Sequence, residues 1–153
     1  MKGETLMLDL NDFFRIHDNI ERVRRQCITD YWEEIKTGDI VAKLNATQRK
    51  YLFTIKQHGP CSLQTVMHYT GFSCSATSTA IDKLVRIGAV NRVRNEDNRR
   101  EIIVSLSSEM DDHFKRIEAL FRKRISAALS DCSSDELEMI LRGAKILLEK
   151  FTG

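Results

Sequence analysis

The alternation of apolar and polar positions changes period inside one stretch of this chain, residues 71–106. In its first half Ala80, Ile81 and Leu84, with Thr77, recur at the three- and four-residue spacing that stacks side chains on one face of a helix. Ser73 is placed to cap that helix and Gly88 to end it. In its second half Ile102, Val104 and Leu106 alternate with Ile103 and Ser105, the period of two expected of a half-buried strand. Residues 90–94 read as a partner strand. The segment 95–99 between them holds Asn, Glu, Asp and Arg and no apolar residue, so the spacing predicts a two-stranded ribbon with a charged tip.

The flanking sequence is helical. Residues 8–37 place Phe13, Phe14, Ile16, Ile20, Val23, Cys27, Ile28, Tyr31, Trp32 and Ile35 along a broad apolar stripe, and Gly38 breaks it. A second helix starts with Asn45 or Thr47 as its cap, carries Leu52, Phe53 and Ile55, and stops at His58, Gly59 and Pro60. Cys61 and Ser62 read either as a brief third strand or as the cap of a short helix over 63–70, with Leu63, Val66 and Met67 inward. After the ribbon, Ser107 or Ser108 caps a helix reaching about Leu129, with Met110, Phe114, Ile117, Phe121, Ile125 and Ala128 on one side. Ser133 and Glu136 then predict a capping box for a last helix.

That last helix carries Leu137, Ile140, Leu141, Ala144, Leu147, Leu148 and Phe151 at near-heptad spacing. Both terminal helices have more apolar face than one core of this size can bury, and twofold pairing with a second copy is the commonest solution. Phe13, Phe14, Ile16 and Ile20, together with those seven residues of the last helix, are the expected dimer interface.

Charge and side-chain size sharpen the picture around the helix at 73–88. Its outward positions are Cys74, Ser75, Ser78, Thr79, Asp82 and Lys83. Small hydroxyls compete with the backbone for hydrogen bonds and are poor helix formers, so helix propensity did not select them. They suit close approach to another polymer, where a hydroxyl donates to a phosphate or pairs with a base edge. From Lys83 to Arg100 six basic residues (Lys83, Arg86, Arg92, Arg94, Arg99 and Arg100) face two acidic ones, a local net of +4 in a chain whose total is +2.

A helix followed by a basic ribbon is the plan of a winged helix-turn-helix, and the residues resemble the MarR family of bacterial transcription factors. The resemblance is carried by Gly71, Phe72 and Ser73, by Asp82, Lys83 and Leu84 at the helix end, by Gly88, Ala89, Val90 and Arg92, and by Val104, Ser105, Leu106 and Ser107. At the ribbon tip, counting back from Leu106 puts Asn98 and Arg100 on the family's Asp and Arg positions, whereas Asp97 and Arg99 fit only with a loop one residue longer. Thr79 stands where the family often has a longer side chain, which implies thinner base readout.

The resemblance spans roughly residues 8–151. It implies a mainly α fold with a small β wing in a single domain over 1–153, with helices 8–37 and 108–151 pairing two copies around a winged helix-turn-helix at 45–106. It implies a repressor or other transcriptional regulator that binds double-stranded DNA as a homodimer on a pseudo-palindromic site. Ser75, Ala76, Ser78 and Thr79 would face base edges, with Ser73 near a phosphate. Lys83, Arg86, Arg92, Arg94, Asn98, Arg99 and Arg100 would attract the backbone or enter the minor groove. Many relatives release DNA on binding a small aromatic or anionic ligand, for which Tyr31, Trp32 and Tyr51 are candidate pocket walls.

Composition limits the alternatives. At 153 residues, 42% hydrophobic and 30% charged, the chain is of one-domain size and globular. No apolar run reaches the ~20 residues needed to span a bilayer, and residues 1–18 lack a signal-peptide pattern, so a cytoplasmic location is expected. Cys27, Cys61, Cys74 and Cys132 are scattered without zinc-ligand spacing, and no metal or cofactor is expected. His17, His58, His68 and His113 fall on separate elements with no nucleophile and base arranged locally, so no catalytic role is expected. Two other readings stay open at this level: a winged-helix module that binds protein without DNA, and a thiol sensor using Cys74 or Cys27.

Overall fold

The computed structural model describes residues 10–35, 39–95 and 101–151. In order, the elements are α1 (Leu10–Glu34), a 3-10 turn (Ile40–Lys43), α2 (Ala46–His58), β1 (Cys61–Ser62), α3 (Leu63–Thr70), α4 (Cys74–Arg86), β2 (Val90–Arg94), β3 (Ile102–Leu106), α5 (Ser108–Ala128) and α6 (Ser134–Phe151). The expected break at Gly38 and the ribbon tip, with Asn98, Arg99 and Arg100, lie outside the described residues. The helices and strands form two compact units, residues 25–117 in one and residues 1–24 with 118–153 in the other.

The unit of residues 25–117 has a single core. Leu52 and Ile55 of α2, Val66 of α3, Ile81 and Leu84 of α4, Val104 of β3 and Met110 of α5 are all essentially inaccessible to solvent. Each such side chain contributes about 1.5–3 kcal/mol relative to an exposed position, and together they fix the order of the three helices under the sheet. The alternatives at two junctions are resolved by hydrogen bonds. Asn45 is the cap of α2, its side chain accepting from the Gln48 amide at 2.9 Å while the Gln48 side chain accepts from the Asn45 amide at 2.9 Å. Cys61 and Ser62 are both things at once: they pair with Val104 and Ile103, and the Ser62 hydroxyl caps α3 by accepting from Thr65 N at 3.1 Å.

The sheet is antiparallel with order β1-β3-β2. Val90 pairs with Leu106, Arg92 with Val104 and Arg94 with Ile102, and the ladder continues where the Asn95 amide donates to the Glu101 carbonyl at 3.0 Å. Of β2 only Val90 is buried, and the rest of the strand stands out in solvent. β3 begins at Ile102, where the apolar alternation starts.

The other unit comprises the first part of α1, the second part of α5 and all of α6. The predicted capping box is present: the Ser133 amide donates to the Glu136 carboxylate at 2.8 Å, and the Ser133 hydroxyl accepts from Glu136 N at 3.3 Å. α6 buries none of its residues within the single chain. No helix of the described residues is long and apolar enough to cross a membrane.

Candidate nucleic-acid interface

The local geometry that presents α4 starts at Gly71. Its φ of +74° closes α3 in the left-handed conformation, and its amide donates to the Met67 carbonyl at 2.9 Å. Two residues later the Ser73 hydroxyl accepts from Ala76 N at 3.3 Å and starts α4. Thr77, Ile81 and Leu84 anchor the helix in the core, with Tyr51 packed against Phe72 at 5.4 Å between ring centres and its hydroxyl 3.5 Å from that of Thr77. Because the helix is fixed on this face, the opposite face is presented rigidly. Cys74, Ser75, Ala76, Thr79, Lys83 and Arg86 are exposed on α4, and Ser78 and Asp82 are half-buried.

Beside α4 the start of α2 contributes a second wall. A cleft of about 530 Å³ is lined by Asn45, Thr47 and Gln48 together with Ser73, Ser75, Ala76, Thr79, Ala80 and Lys83. The α2 residues are absent from the sequence-level site. The Asn45–Gln48 capping box marked the start of a helix, but its juxtaposition with α4 is a tertiary fact that no local pattern carries. The lining mixes polar side chains with two alanines and holds no large apolar residue, so the cleft accepts an edge or a backbone without an apolar anchor.

The charge on this face is less uniform than the residue count suggests. The Asp82 carboxylate is paired with the Arg92 guanidinium, and the Arg86 Nε donates to the Asp82 carbonyl at 3.4 Å. Lys83 and Arg94 make no ion pair among the described residues. Lys83 and Arg94 thus remain cations without an ion pair, among the described residues, on the two elements that the Asp82–Arg92 pair joins.

The remaining expected site residues are scattered over other environments. Tyr31 is buried with its hydroxyl 2.7 Å from His113 Nδ1, and Tyr51 is buried in the core against Phe72. Trp32 is half-buried under the Arg49 guanidinium, 4.9 Å from its ring centre, and its indole N–H has no hydrogen-bond partner among the described residues. Tyr31 and Trp32 pack edge to face at 5.9 Å, while Tyr51 belongs to the α2–α4 contact. Among the cysteines Cys27 and Cys61 are buried, Cys132 is half-buried and Cys74 is exposed; burial raises the pKa of the Cys61 thiol.

In the other unit, Phe13 and Leu137 are half-buried, whereas Phe14, Ile16, Ile20, Ile140, Leu141, Ala144, Leu147, Leu148 and Phe151 are exposed, Phe151 at 77% and Leu141 at 64%. Such a run of large apolar side chains in water is far from the usual scatter of single exposed residues.

Three helices with a three-stranded sheet whose outer ribbon stands beside the third helix define a winged helix-turn-helix protein. The sequence model of the MarR family matches residues 44–102. The HTH-type transcriptional regulator YwhA of Bacillus subtilis is 30% identical over 95 residues, 60% of this chain and 68% of YwhA. The HTH-type transcriptional regulator YfiV of the same organism is 25% identical over 104 residues, 68% of this chain; the match spans 65% of YfiV, short of two thirds of its length. A MarR family protein from Bacillus stearothermophilus has the same fold, with a TM-score of 0.68 over 100% of both chains at 19% identity. The chain belongs to the MarR family of transcriptional regulators.

Proposed function

We propose that this protein is a sequence-specific, DNA-binding repressor that acts as a homodimer on a pseudo-palindromic operator. The observation that carries the reading is the outer face of α4: small side chains at Ser75, Ala76 and Thr79 line a cleft shared with the start of α2, and Lys83 on the same cleft makes no ion pair among the described residues. Short side chains let the helix backbone approach a major groove closely, and hydroxyls there meet base edges. Ser73 and the N-terminus of α2 suit phosphates, since Ser73, Asn45, Thr47 and Gln48 line the same cleft at two helix starts. Lys83, Arg86 and Arg94 supply the salt-dependent attraction that any duplex elicits, with Arg92 held by Asp82. Arg99 or Arg100 is the arginine assigned to the minor groove, with Asn98 beside it.

The exposed apolar faces of α1 and α6 support pairing of two copies, which sets two recognition helices on one duplex at about one helical turn, ~34 Å. A DNA-bound regulator of this kind works in the cytoplasm. Release by a small aromatic or anionic ligand rests on family membership, with Tyr31, Trp32 and Tyr51 as the residues to vary. A duplex-binding titration over a salt series tests the reading: affinity should fall steeply as salt rises, and the absence of binding at low salt would contradict it.

A further inference from the structure

We infer that Asp39, Glu109 and His113 form a binding site for a divalent transition-metal ion of the zinc class. The ligating atoms of the three side chains all lie within 4.8 Å of one another. They come from distant parts of the sequence: Asp39 precedes the 3-10 turn after α1, while Glu109 and His113 stand one turn apart on α5. His113 Nε2 is 3.1 Å from Asp39 Oδ1. Two ligands on a tetrahedral ion with bonds of about 2.0–2.1 Å sit a little over 3 Å apart, so this edge of the site is already at metal-binding spacing.

The surroundings of His113 separate this site from a casual acidic cluster. The ring is 96% enclosed, at 4% exposure, and its other nitrogen, Nδ1, is held 2.7 Å from the Tyr31 hydroxyl. Metal-bound histidines almost always have their second nitrogen tied in this way, which fixes the ring; when Nδ1–H donates to the Tyr31 oxygen, Nε2 is left bare toward the ion. A plain hydrogen-bonded chain from Tyr31 through His113 to Asp39 has no use for a third member. Glu109 nonetheless converges on the same point, and neither carboxylate has a Lys or Arg partner among the described residues. Two carboxylates against one imidazole leave a negative excess that a divalent cation neutralises. One nitrogen and two oxygen donors without sulfur suit zinc and its first-row neighbours, and the exposure of Glu109 leaves room for water to complete the shell.

The site lies wholly within the unit of residues 25–117, so a bound ion would clamp the connection after α1 to the first turns of α5. The sequence offered no sign of it, because the two parts of the ligand set are far apart in the chain and no Cys or His pair marks either. The test uses the full chain, freed of metal by a chelator and titrated with zinc sulfate in competition with a chromophoric zinc indicator. One zinc per chain is expected, with Glu109→Gln and Asp39→Asn each weakening binding at least about 10-fold and Tyr31→Phe weakening it about 10-fold at unchanged stoichiometry. His113→Gln should abolish binding; because His113 is buried, the exposed Glu109→Gln keeps the test decisive if that variant does not fold. X-ray absorption of the zinc-loaded chain should show only nitrogen and oxygen neighbours. Failure to bind stoichiometric zinc, binding indifferent to Glu109→Gln and Asp39→Asn, or sulfur in the shell would each overturn the assignment.

Discussion

Asp82 of α4 and Arg92 of β2 form an ion pair that joins the helix to the ribbon. With both partners partly in water the pair stabilises by at most about 1 kcal/mol, and it ties together the two elements proposed to face DNA. In a double-mutant cycle followed by urea unfolding, Asp82→Ala and Arg92→Ala should each cost less than about 1 kcal/mol, with a coupling of the same order. The same single variants should lower operator affinity more than they lower stability. A loss of DNA affinity no larger than the loss of stability would show that the pair does not position the wing.

Lys83 lines the cleft and has no ion-pair partner among the described residues. Lys83→Ala should weaken binding about equally on all duplexes and reduce the slope of log affinity against log salt by about 1. Thr79→Ala, on the same helix face, should instead change the preference among sequences and leave the slope alone. Titrations at four or five salt concentrations separate the two effects.

The four cysteines should divide by accessibility. In the native protein Cys74 should react first with a thiol reagent, Cys132 next, and Cys27 and Cys61 only on unfolding, Cys61 being further slowed because burial disfavours its thiolate. Saturating duplex DNA should protect Cys74 alone. Equal rates for Cys74 with and without DNA would remove the first turn of α4 from the interface.

Glu136 gives a pH signature for the start of α6. The Ser133 amide and hydroxyl hold its carboxyl below the ordinary value of 4.5. A lowered carboxylate pKa stabilises the folded form at pH values above the unfolded value, and that contribution is lost as pH falls through the folded one. The cap of α6 should therefore be intact at neutral pH and weaken only in acid. Side-chain NMR titration should place Glu136 below the ordinary value of 4.5, and Ser133→Ala should return it toward that value.

Much of the fold was legible because local rules and tertiary packing agree over residues 45–95 and 102–106. Ser73, Gly71 and the apolar triplet of Thr77, Ile81 and Leu84 specify α4 by caps and periodicity alone, and the structure places them as that pattern requires. Cys61 and Ser62 were ambiguous for a physical reason: two residues can extend a sheet and cap a helix at once, and here they do both. Three features were not legible. The Asp82–Arg92 pair cancels charge that a residue count adds up, the α2 wall of the cleft depends on how helices pack, and the convergence of Asp39 with Glu109 and His113 links segments that share no local pattern. Tyr31 illustrates the same limit: its spacing marked it as an inward aromatic, but only the fold shows its hydroxyl against His113.

The central claim is that α4 reads DNA in two copies, and selection from a pool of random-sequence duplexes tests it most directly. The full chain is incubated with the pool, bound duplexes are recovered and sequenced, and the mass of the complex on the winning sequence is measured. The expected result is an inverted repeat with half-sites about one turn apart, bound by two chains and lost with Ser75→Glu. Recovery of no common sequence, or of a single half-site bound by one chain, would contradict the account.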